Sequence, residues 1–413
     1  MVMNNFPFSV RGNAQNYRSV MSLFVLGLFI LLISPRLMSE GMFIDGLYYA
    51  DVARNIADGT GSMWNMMFTD ISPFYGHPPL AITMESILFR IFGDHLWVEK
   101  AYSLIMILVA AWLIVMLWRR AGGQANLVWM PLLLLVLNPT VIFCAPNNLL
   151  ENTMMVFILL SALCVMKSLD KNRFAYIIVA GLFVSCAFFT KGPTGLYTLA
   201  FPMTLWVAIR RRTFGAAVVD TIIMTVTASL SVVAVLLVDS DAYTYMSKYF
   251  ETQVVQGMAA EVVSSRFTIV RQFFERSAID IALAAVIFVI GYSRCRQNRA
   301  SRLVSSASLR MSIALILLTL CGVLPIMIST KQHSFYILTV YPFFSVALSL
   351  LIQDIVASWH WTKNPKAFCS IVIVSILLMV SGVAGLIVQS HRPSMYDPIM
   401  LNPNRSLGIL SGM

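Results

Sequence analysis

Long runs of apolar positions, separated by short polar segments, make up most of the chain. Runs near 19–38, 96–118, 126–145, 152–167, 174–190, 194–209, 215–238, 277–293, 308–329, 334–352 and 367–389 are each near the length a helix needs to cross a bilayer. They predict an all-α integral membrane protein with about 11 transmembrane helices. The run 79–92 is apolar but short and holds Glu85 and Arg90, so it reads as a helix lying at the interface or dipping into it. Between Asp45 and Ala57, the apolar residues Tyr49, Val52, Ala53 and Ile56 share one helical face, and Asp58-Gly59 stops the pattern. Two polar segments, 39–95 and 239–276, are longer than a connector needs, and long ordered loops are usually functional. No inverted or tandem repeat marks two halves, and no low-complexity segment is present. The chain divides into a tail (1–18), a membrane core with its two long loops (19–352), and a last helix with a short tail (353–413).

The balance of charges sets an orientation. With the N-terminus in the cytoplasm, the inner loops hold more than half of the 29 basic residues, including Arg119, Arg120 and Arg210 to Arg212. Of the acids, only Asp170, Asp220 and Asp354 fall near that face. The rest, with Asp45, Glu85 and Glu151 among them, fall outside. The loops at 119–125, 210–213 and 294–307 are then cytoplasmic, and 39–77 and 239–276 lie across the membrane from them. The chain is 58% hydrophobic and 12% charged, about half the charge of a soluble domain. The net charge of +10 is spread over short loops and gives no nucleic-acid footprint. Six cysteines sit in or beside apolar runs with no metal-like spacing, and read as small apolar residues. Residues 1–18 are polar and the run after them has no clear cleavage site, which argues against a removable signal.

Chemistry is expected at the outer face. Asp45 opens the amphipathic helix, where it either caps the helix or serves as a base at an interface that penalises an idle carboxylate. His77-Pro78-Pro79-Leu80 is either a stiff turn or a histidine aimed at a phosphate or an acid. Lys191, in Thr190-Lys191-Gly192-Pro193, is either an interfacial anchor or a point charge for a lipid phosphate. Asn147, Asn148 and Glu151 cluster in one outer loop, and Lys331, His333 and Tyr336 in another. The five histidines are scattered without His-x-x-x-His spacing, so no metal ligand can be named and a divalent metal stays open. A transporter of lipid-linked glycans is the competing function. It would need a polar path through the spans, and few charges lie deep in the apolar runs.

Several of these segments resemble one family. The run Asp45 to Gly59, then Gly61-Ser62-Met63-Trp64, His77-Pro78-Pro79-Leu80 and Phe92-Gly93-Asp94, is similar to the bacterial GT-C glycosyltransferases. These form the superfamily of dolichyl-phosphate-mannose protein mannosyltransferases and lipid A aminoarabinose transferases. Asn147 to Phe157, Lys191-Gly192-Pro193 and Lys331 to Pro342 fit the same pattern, so the likeness covers most of residues 20–350. It implies a GT-C bundle with juxtamembrane helices in the first periplasmic loop, in the inner membrane of a bacterium. It implies a polyprenyl-phosphate sugar donor and an inverting transfer to a lipid, lipid-linked glycan or protein acceptor. Asp45 matches the position that activates the acceptor, Glu151 the second acid, and Lys191 the lysine of a Lys-Gly-Pro motif. Tyr48, Tyr49, Arg54, His77, Asn148, Lys191, Lys331, His333 and Tyr336 are then the expected substrate contacts. In one respect the chain departs from the pattern: Gly76-His77 stands where many relatives carry an acid or a lysine before Pro-Pro.

Overall fold

The computed structural model describes residues 14–39, 41–69, 72–255, 265–298, 304–329, 331–359 and 365–389. The start of the predicted tail, the end after residue 389, and stretches of the 239–276 and 294–307 segments (256–264 and 299–303) lie outside the described residues.

Every predicted apolar run is helical. The first helix, α1 (Ala14–Leu37), leads into the first long loop, which carries α2 (Ile44–Asp58), a hairpin of β1 (Met67–Thr69) and β2 (Ser72–Pro73), and α3 (Leu80–Phe92). Then come α4 (Val98–Arg120), α5 (Trp129–Leu137), α6 (Pro139–Cys144), α7 (Leu150–Ser168), α8 (Arg173–Lys191), α9 (Phe201–Ile209), α10 (Phe214–Val238) and α11 (Ser240–Tyr249). The rest of the bundle is Thr268–Arg276, Ala278–Asn298, Ser306–Val323, Tyr341–Ser358 and Pro365–Gln389. The hairpin was not legible in the hydrophobic pattern. Its strands are three and two residues long, too short to show alternation.

Among the described residues, eight helical stretches are long and apolar enough to cross a membrane, and Ala125–Leu137 and Ala278–Ser293 are shorter apolar helices. The difference from eleven arises at three places, one of them the run 277–293, whose helix Ala278–Ser293 is one of the two shorter ones. The run 126–145 is broken at Asn138-Pro139. Pro139 has no N–H for the helix behind it, and Asn138 caps the new helix by accepting from Thr140 N at 3.0 Å. The runs 174–190 and 194–209 form one 37-residue stretch, Arg173–Ile209, but it doubles back. At the turn Gly192 has φ +73°, and Gly195 lies against the backbone of Ala187. The far ends meet: Asp220 takes Arg173 and Arg212, each at 2.7 Å. After the turn, residues 192–200 form a 3-10 helix. With α9 they rise roughly 30 Å, enough for a second pass.

The two ends of the bundle differ in chemistry. At one end arginines pair with two of the three expected acids, and the third accepts from neutral donors. Arg120 and Arg211 share Asp170, Arg173 and Arg212 share Asp220, and Asp354 accepts from Gln124 Nε2 and Ser305 N. At the other end lie the first loop, α11 and the turn at Lys191. Buried Lys100 at the start of α4 donates to the carbonyls of Arg36, Leu37 and Ser39. It satisfies the free carbonyl end of α1 and so fixes where the first loop begins. Three passes reach this end through 3-10 turns that contain or adjoin a proline: Gly192–Ala200, Leu324–Ile328 and Ser334–Val340.

Candidate active site

The helix carrying Asp45 is set by its neighbours. It starts one residue earlier than its pattern predicts and is not capped by Asp45. The N-cap is Phe43, which offers no side-chain cap, and Asp45 sits inside the first turn. The turn is held from outside. Phe43 N donates to Asn147 Oδ1 at 2.9 Å, and Asn147 Nδ2 donates to Phe143 O at 2.6 Å. On the other side of Asp45, Gly46 lies so close to Asn147 that a Cβ would stand 2.1 Å from its carbonyl oxygen. Only glycine permits that approach. Gly59, in the left-handed region at φ +85°, ends the helix where the sequence expects.

Freed from capping, the Asp45 carboxylate is half-buried and has no hydrogen bond or ion pair among the described residues. Burial raises its pKa, and Lys191 and His333 lower it without cancelling the rise. Glu151, in the first turn of α7, is fully buried and ion-paired with Lys191, the last residue of α8. The Lys191 ammonium also lies over the rings of Tyr336, at 4.9 Å, and Phe335, at 5.4 Å. Glu151 Oε2 is buried without a partner among the described residues, so one carboxylate oxygen faces the site unsatisfied. His333 is exposed and stacks on Phe335 with ring centroids 5.2 Å apart. Tyr49 is buried, and the charges of Asp45 and Glu151 add to the burial that pushes its phenol well up. His77 meets Tyr49 edge-on at 5.5 Å. Its pKa is held well below the usual value by burial and by Lys191 and Lys331. The imidazole is therefore neutral, a hydrogen-bonding group and not a cation.

The structure thus brings together Asp45, Glu151, Lys191, Tyr49, His77, His333 and Tyr336. Lys331 is exposed at the rim, close enough to act on both histidines. Three expected contacts are engaged elsewhere. Arg54 pairs with Asp94 at 2.6 Å and Glu99 at 2.9 Å and covers the ring of Phe89, which locks α2 to the start of α4. Tyr48 packs edge-on against Phe68 of the hairpin at 4.7 Å. Asn148, left-handed at φ +49°, donates to buried Glu85 at 2.7 Å and reaches the carbonyl of Gly46 at 3.5 Å.

Sequence reasoning missed the roles of Asn147, Glu85 and Tyr249. The Asn147-Asn148 doublet and the acid inside an apolar run were visible as signals, but their partners lie some sixty to a hundred residues away. The Tyr249 hydroxyl, which occupies the space where a Gly192 side chain would stand, left no signal in the sequence. No group of three or more metal-binding side chains occurs among the described residues.

Residues 76–239 match the family of dolichyl-phosphate-mannose-protein mannosyltransferases. That span contains His77, Glu151 and Lys191 and begins after Asp45. No curated protein sequence matches the chain significantly. Among solved structures, the chain is similar to ArnT from Cupriavidus metallidurans bound to undecaprenyl phosphate, with a TM-score of 0.58 and 16% identity over 89% of this chain and 70% of that one. The apo state of the same protein gives a TM-score of 0.58 and 16% identity, covering 89% of this chain and 76% of that one. Over residues 76–239 the chain carries the sequence pattern of the dolichyl-phosphate-mannose-protein mannosyltransferases, and over most of its length its fold is similar to the GT-C fold of ArnT.

Proposed function

We propose that the protein transfers a sugar from a polyprenyl-phosphate donor to a hydroxyl or amine acceptor, with inversion, at the end of the bundle that carries Asp45. One observation carries this reading. Asp45 is a carboxylate without a partner among the described residues, held on a turn anchored from both sides, in the field of a buried lysine that is itself fixed in place. A general base needs a free lone pair and a raised pKa, and the leaving group needs a positioned cation.

In the reaction, Asp45 accepts the acceptor's proton as its oxygen or nitrogen bonds to the anomeric carbon. The bond from that carbon to the phosphate oxygen breaks, and the electron pair leaves with the lipid phosphate. Lys191 meets the charge that develops there. Its ion pair with Glu151 keeps the ammonium at one depth between the aromatic rings, so no reorganisation is needed when the phosphate departs. Glu151 is on this view the holder of Lys191 and not a second base. The relative crystallised with undecaprenyl phosphate shows that this fold can hold such a lipid. The aqueous face is the periplasm of a bacterial inner membrane, since the arginine-rich end is the cytoplasmic one. The acceptor is a lipid, a lipid-linked glycan or a protein.

The test is turnover by the purified protein with a panel of undecaprenyl-phosphate monosaccharides and a membrane extract as acceptor, read as release of undecaprenyl phosphate. Release that depends on the extract and disappears in Asp45→Asn supports the reading. Uptake of intact lipid-linked sugar across vesicles without release would favour a transporter instead.

A further inference from the structure

We propose that Glu85 is a positioning residue for Asp45, acting through Asn148 to hold the first turn of α2. Assigning the turn as catalytic rests on Asp45 being the base.

The geometry forms a short chain. Glu85 lies on the inner side of α3 and is 1% exposed. Its Oε1 accepts from Asn148 Nδ2 at 2.7 Å, and the same amide nitrogen stands 3.5 Å from the carbonyl of Gly46. Asn148 holds a left-handed backbone at φ +49°, a conformation that must be held by its surroundings. Its neighbour Asn147 grips the other side of the turn through Phe43 N. Asp45 lies between these two anchor points, with no anchor of its own. The contact from Glu85 is what orients the Asn148 amide toward Gly46.

The charged and titratable groups facing Glu85 stabilise an anion there too weakly to offset its burial. Arg54 of α2 is engaged by Asp94 and Glu99. Glu99 of α4 repels a second carboxylate, and the Tyr102 hydroxyl of α4 donates to Ala81 O and shares a hydrogen bond with Thr153 Oγ1. Burial is the largest influence on Glu85 and lifts its pKa to about 8, against the downward pull of Asn148 and Arg54. At neutral pH the side chain is therefore a neutral acid that accepts through one oxygen. Ionising it would place a bare charge in the packing between α2, α3 and α4, which costs more than the packing gains.

The test compares wild type with Glu85→Gln, which keeps shape and acceptor but cannot ionise, and with Glu85→Ala. Glu85→Gln should transfer sugar within about twofold of wild type at pH 7, and should hold its rate above pH 8 where wild type falls away. Glu85→Ala should lower kcat roughly tenfold to a hundredfold, through a displaced base, while the KM for donor stays within about twofold. Two readouts need no activity. Relative to Glu85→Gln, wild type should lose thermal stability as the pH rises from about 5 to about 8 and no further above it, because the folded state keeps a proton that the unfolded chain releases. Hydrogen exchange across residues 43–50 should quicken in Glu85→Ala. The proposal is overturned if Glu85→Gln melts and turns over in parallel with wild type at every pH, or if Glu85→Ala leaves both kcat and the exchange of that segment unchanged. If wild type itself moves no sugar, the proposed function fails, while melting and exchange still report whether Glu85 holds the turn.

Discussion

On the proposed reading, Asp45 and Lys191 divide the chemistry between them, and each can be tested by a change that leaves its shape nearly intact. Asp45→Asn keeps the turn and removes the base. Turnover should fall about a hundredfold or more, since a positioned base contributes at least that much. A purified Asp45→Asn protein with near-normal turnover would remove Asp45 from the reaction. Because burial raises the Asp45 pKa, the rate should decline as the pH falls through a value above the usual 3.8, and a pH–rate profile measures where. Lys191 is a harder case, because it is buried against Glu151. Lys191→Ala strands a buried carboxylate, which costs roughly 3–5 kcal/mol of stability. The double change Lys191→Met with Glu151→Gln removes both charges, and it should melt well above Lys191→Ala yet still fail to use donor. Recovered turnover in the double variant would show that the pair is structural alone. Lys191→Arg keeps the charge and should retain part of the activity, although the bulkier guanidinium does not fit the same gap between Tyr336 and Phe335.

Among the elements, the turn at Gly192 explains the most. Its φ of +73° disfavours any side chain, and the Tyr249 hydroxyl fills the space where one would go. Gly192→Ala should therefore disturb the fold-back, move Lys191 and lower turnover, whereas Gly215→Ala, with open space around its Cβ, should change neither melting nor rate. The helices were legible because a bilayer imposes length and apolarity on each pass, and those are one-dimensional properties. The amphipathic helix and its Gly59 stop were legible for the same reason. The reversal at Gly192 and the break at Asn138 were less so, since a hydropathy pattern records that a run is apolar and not which way it travels. Within the site, the residues facing one another were legible by type, as isolated polar groups at outer span ends. Their partners were not. Arg54 looked free for a phosphate, and only the fold shows it clasped by Asp94 and Glu99. For Asp45 the sequence left a cap and a base both open, and the position of Phe43 shows that it is not the cap.

The whole molecule separates its ends by charge. Arginines with their aspartates gather at one, and the uncompensated Asp45 and the pinned Lys191 stand at the other. A cysteine placed at exposed Ser62 in the first loop should react with a membrane-impermeant thiol reagent in intact cells stripped of their outer barrier, and one placed at Arg211 only after the inner membrane is opened. The reverse pattern would put Asp45 in the cytoplasm, away from any lipid-linked sugar presented outside.

The three passes that reach the site through 3-10 turns belong to distant parts of the chain, with Lys191 near the middle and the Phe335-Tyr336 wall late. Asp45 leaves the ribosome first, and at ordinary synthesis rates roughly 15 to 60 s pass before His333 follows. During that interval the half-made protein already sits in a membrane containing polyprenyl phosphates, with its carboxylate exposed and nothing to press a sugar against it. On the proposed function, a nascent chain halted anywhere before residue 333 has a base but no chamber, and transfer waits until synthesis is nearly finished.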